Sequence, residues 1–88
     1  GAWYHARMRI EVLCFAVVRE IVGQPTVVLD LPAGATVETA AAALVAAHPG
    51  LRPLLPSVRY AVNEEFAPAT LALGAGDRLA LIPPVSGG

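Results

Sequence analysis

Residues Thr36–His48, TVETAAAALVAAH, carry the one unambiguous helical signature in this chain. Thr36 is a good N-cap, because its hydroxyl can accept a hydrogen bond from an amide of the first turn. Glu38 sits in that first turn, where the helix dipole favours a negative charge. The alanines have high helix propensity, and Pro49-Gly50 stops the helix. Val37, Ala40, Leu44 and Ala47 are predicted to share a face. The small alanines allow a sheet to approach closely.

On both sides of this helix the pattern changes from helical to alternating. Upstream, Arg9–Phe15 (RIEVLCF) puts Ile10, Val12 and Cys14 on one face and Arg9, Glu11, Leu13 and Phe15 on the other. That is a strand whose first face is core. Ala16–Gly23 (AVVREIVG) predicts one or two helical turns ended by Gly23. Thr26–Leu31 (TVVLDL) is a second strand, with Val27, Leu29 and Leu31 inward, followed by a turn over Pro32–Ala35.

Downstream, Leu51–Pro56 (LRPLLP) reads as an irregular apolar linker pinned by prolines. Val58–Asn63 (VRYAVN) is a strand, Asn63–Glu65 a turn, and Phe66–Leu73 a short strand that Pro68 confines to an edge. Gly74–Asp77 is a turn. Arg78–Pro83 (RLALIP) is the last strand, with Leu79 and Leu81 inward and Arg78, Ala80 and Ile82 outward. The order strand, strand, helix, strand, strand predicts an α+β domain in which a mixed sheet grasps one main helix. Antiparallel hairpins at both ends leave the first and last strands to meet as a parallel central pair. Phe15 and Ile82 then project from the same solvent-side face. Exposed together on a small domain, they mark a partner surface.

The totals narrow the function classes. Eighty-eight residues make one domain, and a domain of this size buries only about 60% of the surface of its unfolded chain. A hydrophobic content of 56% and a mean hydropathy of +0.61 can supply an efficient core. Thr39–Leu51, the longest stretch without a charged residue in the first three quarters, is short of the ~20 apolar residues a membrane span needs. No signal peptide is visible, so no membrane is expected and the cytoplasm is the expected location. A net charge of −1 without a basic block argues against nucleic acid. Cys14 is the only cysteine, so there is neither an intrachain disulfide nor a cysteine metal cluster, and on a core face it is a small hydrophobe. A lone His48 makes no metal site. All six cationic residues are arginine, which excludes a lysine Schiff base. Gly1–Arg7 (GAWYHAR) has no period and precedes Met8. It reads as a leader, vector-derived or from an alternative start, ahead of a domain over 8–82 and a tail over 83–88.

No internal active site is legible. Gly74–Asp77 precedes a strand, so it is a turn and no phosphate loop. Glu64 and Glu65 are adjacent, and their carboxylates diverge on a turn. Ser86 has no histidine nearby. What remains is the tail, Pro83-Pro84-Val85-Ser86-Gly87-Gly88. Its prolines end the strand and favour an extended exit. Gly87 and Gly88 make its end slim enough to enter a narrow channel. The Gly88 carboxylate is inert until activated, for instance as an acyl-adenylate, and this chain has no ATP site. Activation therefore falls to a separate enzyme. An amine would then capture the carbonyl as an amide, and a sulfur donor as a thiocarboxylate.

The segments LCFAVVREIVG, AVNEEF and LGAGDRLALIPPVSGG together resemble the MoaD/ThiS family of ubiquitin-like sulfur carriers, in its molybdopterin synthase small-subunit branch. The likeness runs from about Met8 to Gly88, and IPPVSGG is its most specific part. It implies a β-grasp fold. It implies a sulfur-donor subunit with the active site on its partner. Gly88, preceded by Gly87, would be adenylated by a MoeB-like enzyme using ATP, with no cofactor held by this chain, and then converted to a thiocarboxylate by way of a sulfurtransferase. It implies docking on a MoaE-like large subunit, as a heterotetramer with two copies of each, and sulfur donation to cyclic pyranopterin monophosphate. The family's apolar docking residues fall on Phe15, Phe66 and Ile82, with Pro83, Pro84 and Val85 leading into the partner. Arg19 is the implied polar contact with the activating enzyme. Cys14 departs from the pattern, since relatives often carry an aromatic residue there. A carrier for thiamine or cysteine synthesis, and a ubiquitin-like modifier conjugated through Gly88, are the alternatives.

Overall fold

Strand β1 (Arg7–Cys14) lies near the middle of a five-stranded sheet of order β2-β1-β5-β3-β4. The computed structural model describes residues 6–84. Helix α1 (Ala16–Val22) follows β1 and ends at Gly23, whose φ of 84° gives the left-handed cap that glycine adopts without a Cβ penalty. Strand β2 (Thr26–Pro32) returns antiparallel to β1. Helix α2 (Val37–Ala47) crosses the sheet, and a 3₁₀ segment (Pro49–Ser57) leads to β3 (Arg59–Val62), β4 (Glu65–Ala67) and β5 (Arg78–Ile82). β5 pairs in parallel with β1 and antiparallel with β3. This is the β-grasp arrangement, and the parallel pairing of first and last strands is as predicted. No helix among the described residues is long and apolar enough to cross a membrane.

The core lies between one face of the sheet and α2. Ile10, Val12, Cys14, Leu79 and Leu81 from the sheet meet Val37, Ala40 and Leu44 from the helix, and all are buried. The start of α2 has every backbone donor satisfied. Val37 and Glu38 donate to the carbonyls of Leu71 and Ala69, Thr39 to the Thr36 hydroxyl, and Ala40 to the Thr36 carbonyl. The loop between β4 and β5 is thereby tied across the helix N-terminus through Val37 and Glu38, and with Thr39 three donors that helices otherwise leave orphaned are satisfied.

Some details differ from expectation. Ala47 is exposed, and Ala41 and Val45 are buried instead, so the contact face of α2 is broader than one 3–4 spaced row and rotated away from its last turn. The linker after α2 is ordered. Its closely spaced prolines lack the amides an α-helix needs but tolerate 3₁₀ turns, and Leu51 inserts into the core. Val27 and Leu29 face inward but are only partly buried, because β2 is an edge strand. β4 stops before Pro68, at the other edge. β1 begins at Arg7, one residue inside the segment read as leader, where its side chain pairs with Asp30 at 3.3 Å.

Candidate functional site

The face of the sheet turned away from α2 carries the site. Strand register sets it out in rows. Leu13 pairs with Ala80, Ala80 with Ala61, and Ala61 with Phe66, giving one transverse row across β1, β5, β3 and β4. Towards the C-terminal end of β5, Ile82 pairs with Arg59. Phe15 continues β1 by one extended residue, φ −123° and ψ 150°, before α1 begins, and so keeps the parity of Leu13. Towards the other end, Glu11 pairs with Arg78.

Two alanines at the centre of this pattern have a consequence. Ala61 and Ala80 are only 7% and 8% exposed, yet they lie outside the core cluster between sheet and helix. The larger side chains around them cover them from the solvent side. Short side chains in the middle and long ones at the sides make a trough of about 530 Å³. Phe15 is its wall on the β1 side and Phe66 its wall on the β4 side, 48% and 64% exposed respectively. Ile82, half-buried, closes the end from which Pro83 and Pro84 leave. Pro83 is buried and Pro84 exposed.

The polar groups lie on the rim. Arg59 places its guanidinium carbon 4.1 Å from the centre of the Phe66 ring, a cation–π contact between diagonal cross-strand neighbours. At the far end, Arg78 Nε meets Glu11 Oε2 at 3.2 Å. Asn63 and Glu64 form the two-residue turn between β3 and β4, with φ of 51° and 72°. Positive φ at both positions is the type I′ pattern of tight hairpins. Asn63 donates through Nδ2 to Asp77 Oδ1 at 3.0 Å and accepts from the Arg78 amide at 3.0 Å. The Gly74 amide donates to Asp77 Oδ2 at 2.7 Å. Those two donors, Gly74 first, hold the Asp77 carboxyl below its ordinary range. The arrangement locks the β3–β4 turn to the turn before β5.

The structure thus brings Phe15, Phe66 and Ile82 into one surface at the root of the tail. Val85, Gly87 and Gly88 lie outside the described residues. Arg19 is exposed on α1 and does not line the trough; its carbonyl accepts the Gly23 amide. Ala61 completes the trough floor and Arg59, which does not itself line the trough, borders it through the Phe66 ring; sequence reading missed both. The parity of VRYAVN already placed them on one face, but nothing local marked that face as the outer one. Cys14 is buried on the core side, and burial pushes its thiol pKa up, which is the opposite of what a nucleophile needs. Among the described residues no group of three or more His, Cys, Asp or Glu is placed to hold a metal ion.

Comparison with known proteins agrees with this geometry. The ThiS family model matches residues 12–88. The chain is 40% identical over 83 residues to the molybdopterin synthase sulfur carrier subunit of Chlamydomonas reinhardtii, covering 92% of this chain and all of that one. It is 38% identical over 81 residues to the protein of the same name from Arabidopsis thaliana, covering 92% and 84% of the two chains. It is also similar to small archaeal modifier protein 1 of Haloferax volcanii, with 43% identity over 82 residues and coverage of 84% and 94%. A crystal structure of that modifier superposes with a TM-score of 0.84 at 40% identity, covering 91% of this chain and 99% of the other. With this likeness along nearly its whole length and the β-grasp topology, the chain belongs to the ThiS/MoaD family of ubiquitin-like proteins.

Proposed function

We propose that this chain is the sulfur-carrying small subunit of a molybdopterin synthase. The observation that carries the reading is the likeness to molybdopterin synthase sulfur carrier subunits, in a family match that extends through the terminal diglycine. In this reading the trough formed by Phe15, Phe66 and Ile82 docks first on a MoeB-like activating enzyme and then on the MoaE-like large subunit, in a heterotetramer. Pro83, Pro84 and Val85 lead the tail into the partner's active site. Arg19 contacts the activating enzyme.

The chemistry belongs to Gly88. Its carboxylate attacks the α-phosphate of ATP on the activating enzyme, and pyrophosphate leaves. Hydrosulfide-level sulfur, released from a sulfurtransferase persulfide by a thiol reductant, displaces AMP from the acyl-adenylate and leaves a thiocarboxylate. That group is ionised at neutral pH and nucleophilic through sulfur. Its sulfur forms a C–S bond to a carbon of cyclic pyranopterin monophosphate in the large subunit as a C–O bond at that carbon breaks, and hydrolysis of the resulting thioester returns Gly88 to a carboxylate and leaves the sulfur on the pterin. This chain contributes positioning and the carrier terminus, and these steps take place in the cytoplasm.

The test is intact-mass spectrometry after incubation with the cognate activating enzyme, ATP and a sulfur donor. The expected result is a gain of about 16 Da, the exchange of one oxygen for sulfur, confined to the C-terminal peptide and absent when Gly88 is deleted. No gain with any cognate activating enzyme refutes it. A second reading, conjugation through Gly88 to amines of other proteins, has one observation in its favour, the 43% identity to a small archaeal modifier protein. Tagged chain recovered from cells would then appear as covalent ladders whose target peptides carry the tail remnant. A carrier serving thiamine or cysteine synthesis would pass the mass test but would not support molybdopterin formation with the large subunit.

A further inference from the structure

The rim of the trough carries charges of both signs, and one at each end, Arg59 and Glu64, has no ion-pair partner among the described residues. At the end nearest the tail, Arg59 rests on Phe66 and makes no ion pair with any described residue. A guanidinium seated on a ring keeps N–H donors available for a carboxylate. At the other end, Asn63, the first residue of the turn after β3, lies four residues beyond Arg59, or about 13 Å at the rise of a strand, and Glu64 follows it. The other charges there are engaged: Arg78 pairs with Glu11, and Asp77 accepts from Gly74 and Asn63. The Glu64 carboxylate has no hydrogen bond or ion pair among the described residues, although the residue lines the trough.

Glu64 is also the wrong residue for its backbone. Its φ of 72° lies in the left-handed region, at the turn position where glycine is preferred. Its carboxylate forms no hydrogen bond or ion pair among the described residues that offsets this cost, which leaves the group open to a partner outside the domain.

We propose that Arg59 and Glu64 determine which partner the trough accepts. The occupant is an apolar segment of a partner protein, with an acidic residue at the end facing the tail root and a basic residue at the end facing the β3–β4 turn. The inference rests on the docking reading given above and adds to it the direction and charge pattern of the docked segment.

The test uses the whole chain and, as the probe, the molybdopterin synthase large subunit of the same organism, titrated calorimetrically at 50 mM and 500 mM salt. Arg59→Glu and Glu64→Lys are each expected to weaken binding about tenfold at low salt and about twofold or less at high salt, as screening removes the rim's contribution. Arg59→Lys retains the charge without the planar fork and should fall between wild type and Arg59→Glu. Glu64→Gly separates partner recognition from folding: it should melt no lower than wild type yet bind more weakly. Wild-type affinity in both charge-reversal variants at low salt overturns the proposal, as does a Glu64→Gly variant that melts below wild type. Failure of the wild-type chain to bind at either salt concentration overturns the sulfur-carrier reading, and the proposal with it.

Discussion

Replacing Phe66 with alanine separates the docking role of the outer face from its part in the fold. Phe66 is 64% exposed, on a three-residue edge strand. With an aromatic side chain presenting about 200 Å², roughly 130 Å² of it remains open to water in the free domain. A partner covering most of that area gains about 2–3 kcal/mol at about 25 cal/mol per Å². Loss of the ring should therefore weaken binding to the large subunit about 30- to 150-fold. Folding loses a comparable amount: the covered third of the side chain, about 70 Å², is worth about 1.8 kcal/mol on the same scale, and the exposed Arg59 contact adds about 0.5–1 kcal/mol, so the melting temperature should fall by roughly 10–20 °C and affinity is measured well below the melt. The control is Val28→Ala. Val28 is 60% exposed on the outer side of β2 but does not line the trough, so its removal should leave affinity unchanged. Calorimetric titration and a thermal melt on both variants provide the readout. If Phe66→Ala binds within threefold of wild type, or Val28→Ala loses as much, the trough is not the docking surface.

Two further predictions concern groups that stabilise the domain without belonging to its docking surface. Asp77→Ala removes the acceptor for the Gly74 amide and the Asn63 side chain, and should cost about 1–2 kcal/mol near neutral pH by chemical denaturation. Because those donors hold the Asp77 carboxyl below its ordinary range, its contribution is fully present above about pH 4–5 and lost as pH falls through the depressed value. The stability gap between wild type and Asp77→Ala should therefore narrow on acidification, and a gap that widens would refute the assignment. Cys14 is buried with a raised thiol pKa, so the folded chain should resist thiol reagents at about pH 8 and become fully labelled in denaturant. Rapid labelling of the native chain would contradict the placement of Cys14 in the core.

Local patterns account for most of the element order. The alternation of RIEVLCF and RLALIP, the Thr36 cap and the Pro49-Gly50 stop are properties of adjacent residues, and each produced the expected strand or helix. The edge position of β4 was legible because Pro68 cannot donate to a ladder. The exposure of Ala47 was not, because which part of a helix touches the sheet depends on the angle at which the two layers cross. Nor was the 3₁₀ segment, where Leu51 draws an otherwise irregular apolar stretch into the core.

For the site, the division falls between parity and register. That Phe15 and Ile82 share the outer face follows from period-two alternation, once their strands are known to run parallel. The chemical character of the terminal diglycine is likewise a property of the covalent chain and needs no fold. Register belongs to the tertiary structure, because it is set by which residues of distant strands face one another across the ladder. Only that pairing lines up Leu13, Ala80, Ala61 and Phe66 in one row, sinks two alanines between two aromatic walls, and lays Arg59 against Phe66. The sequence by itself determined a β-grasp domain followed by the Pro83–Gly88 segment on which the proposed function rests. Tertiary structure decided the surface from whose end Pro83 and Pro84 leave, because a trough is made by neighbours that hydrogen bonding, and not the covalent chain, brings together.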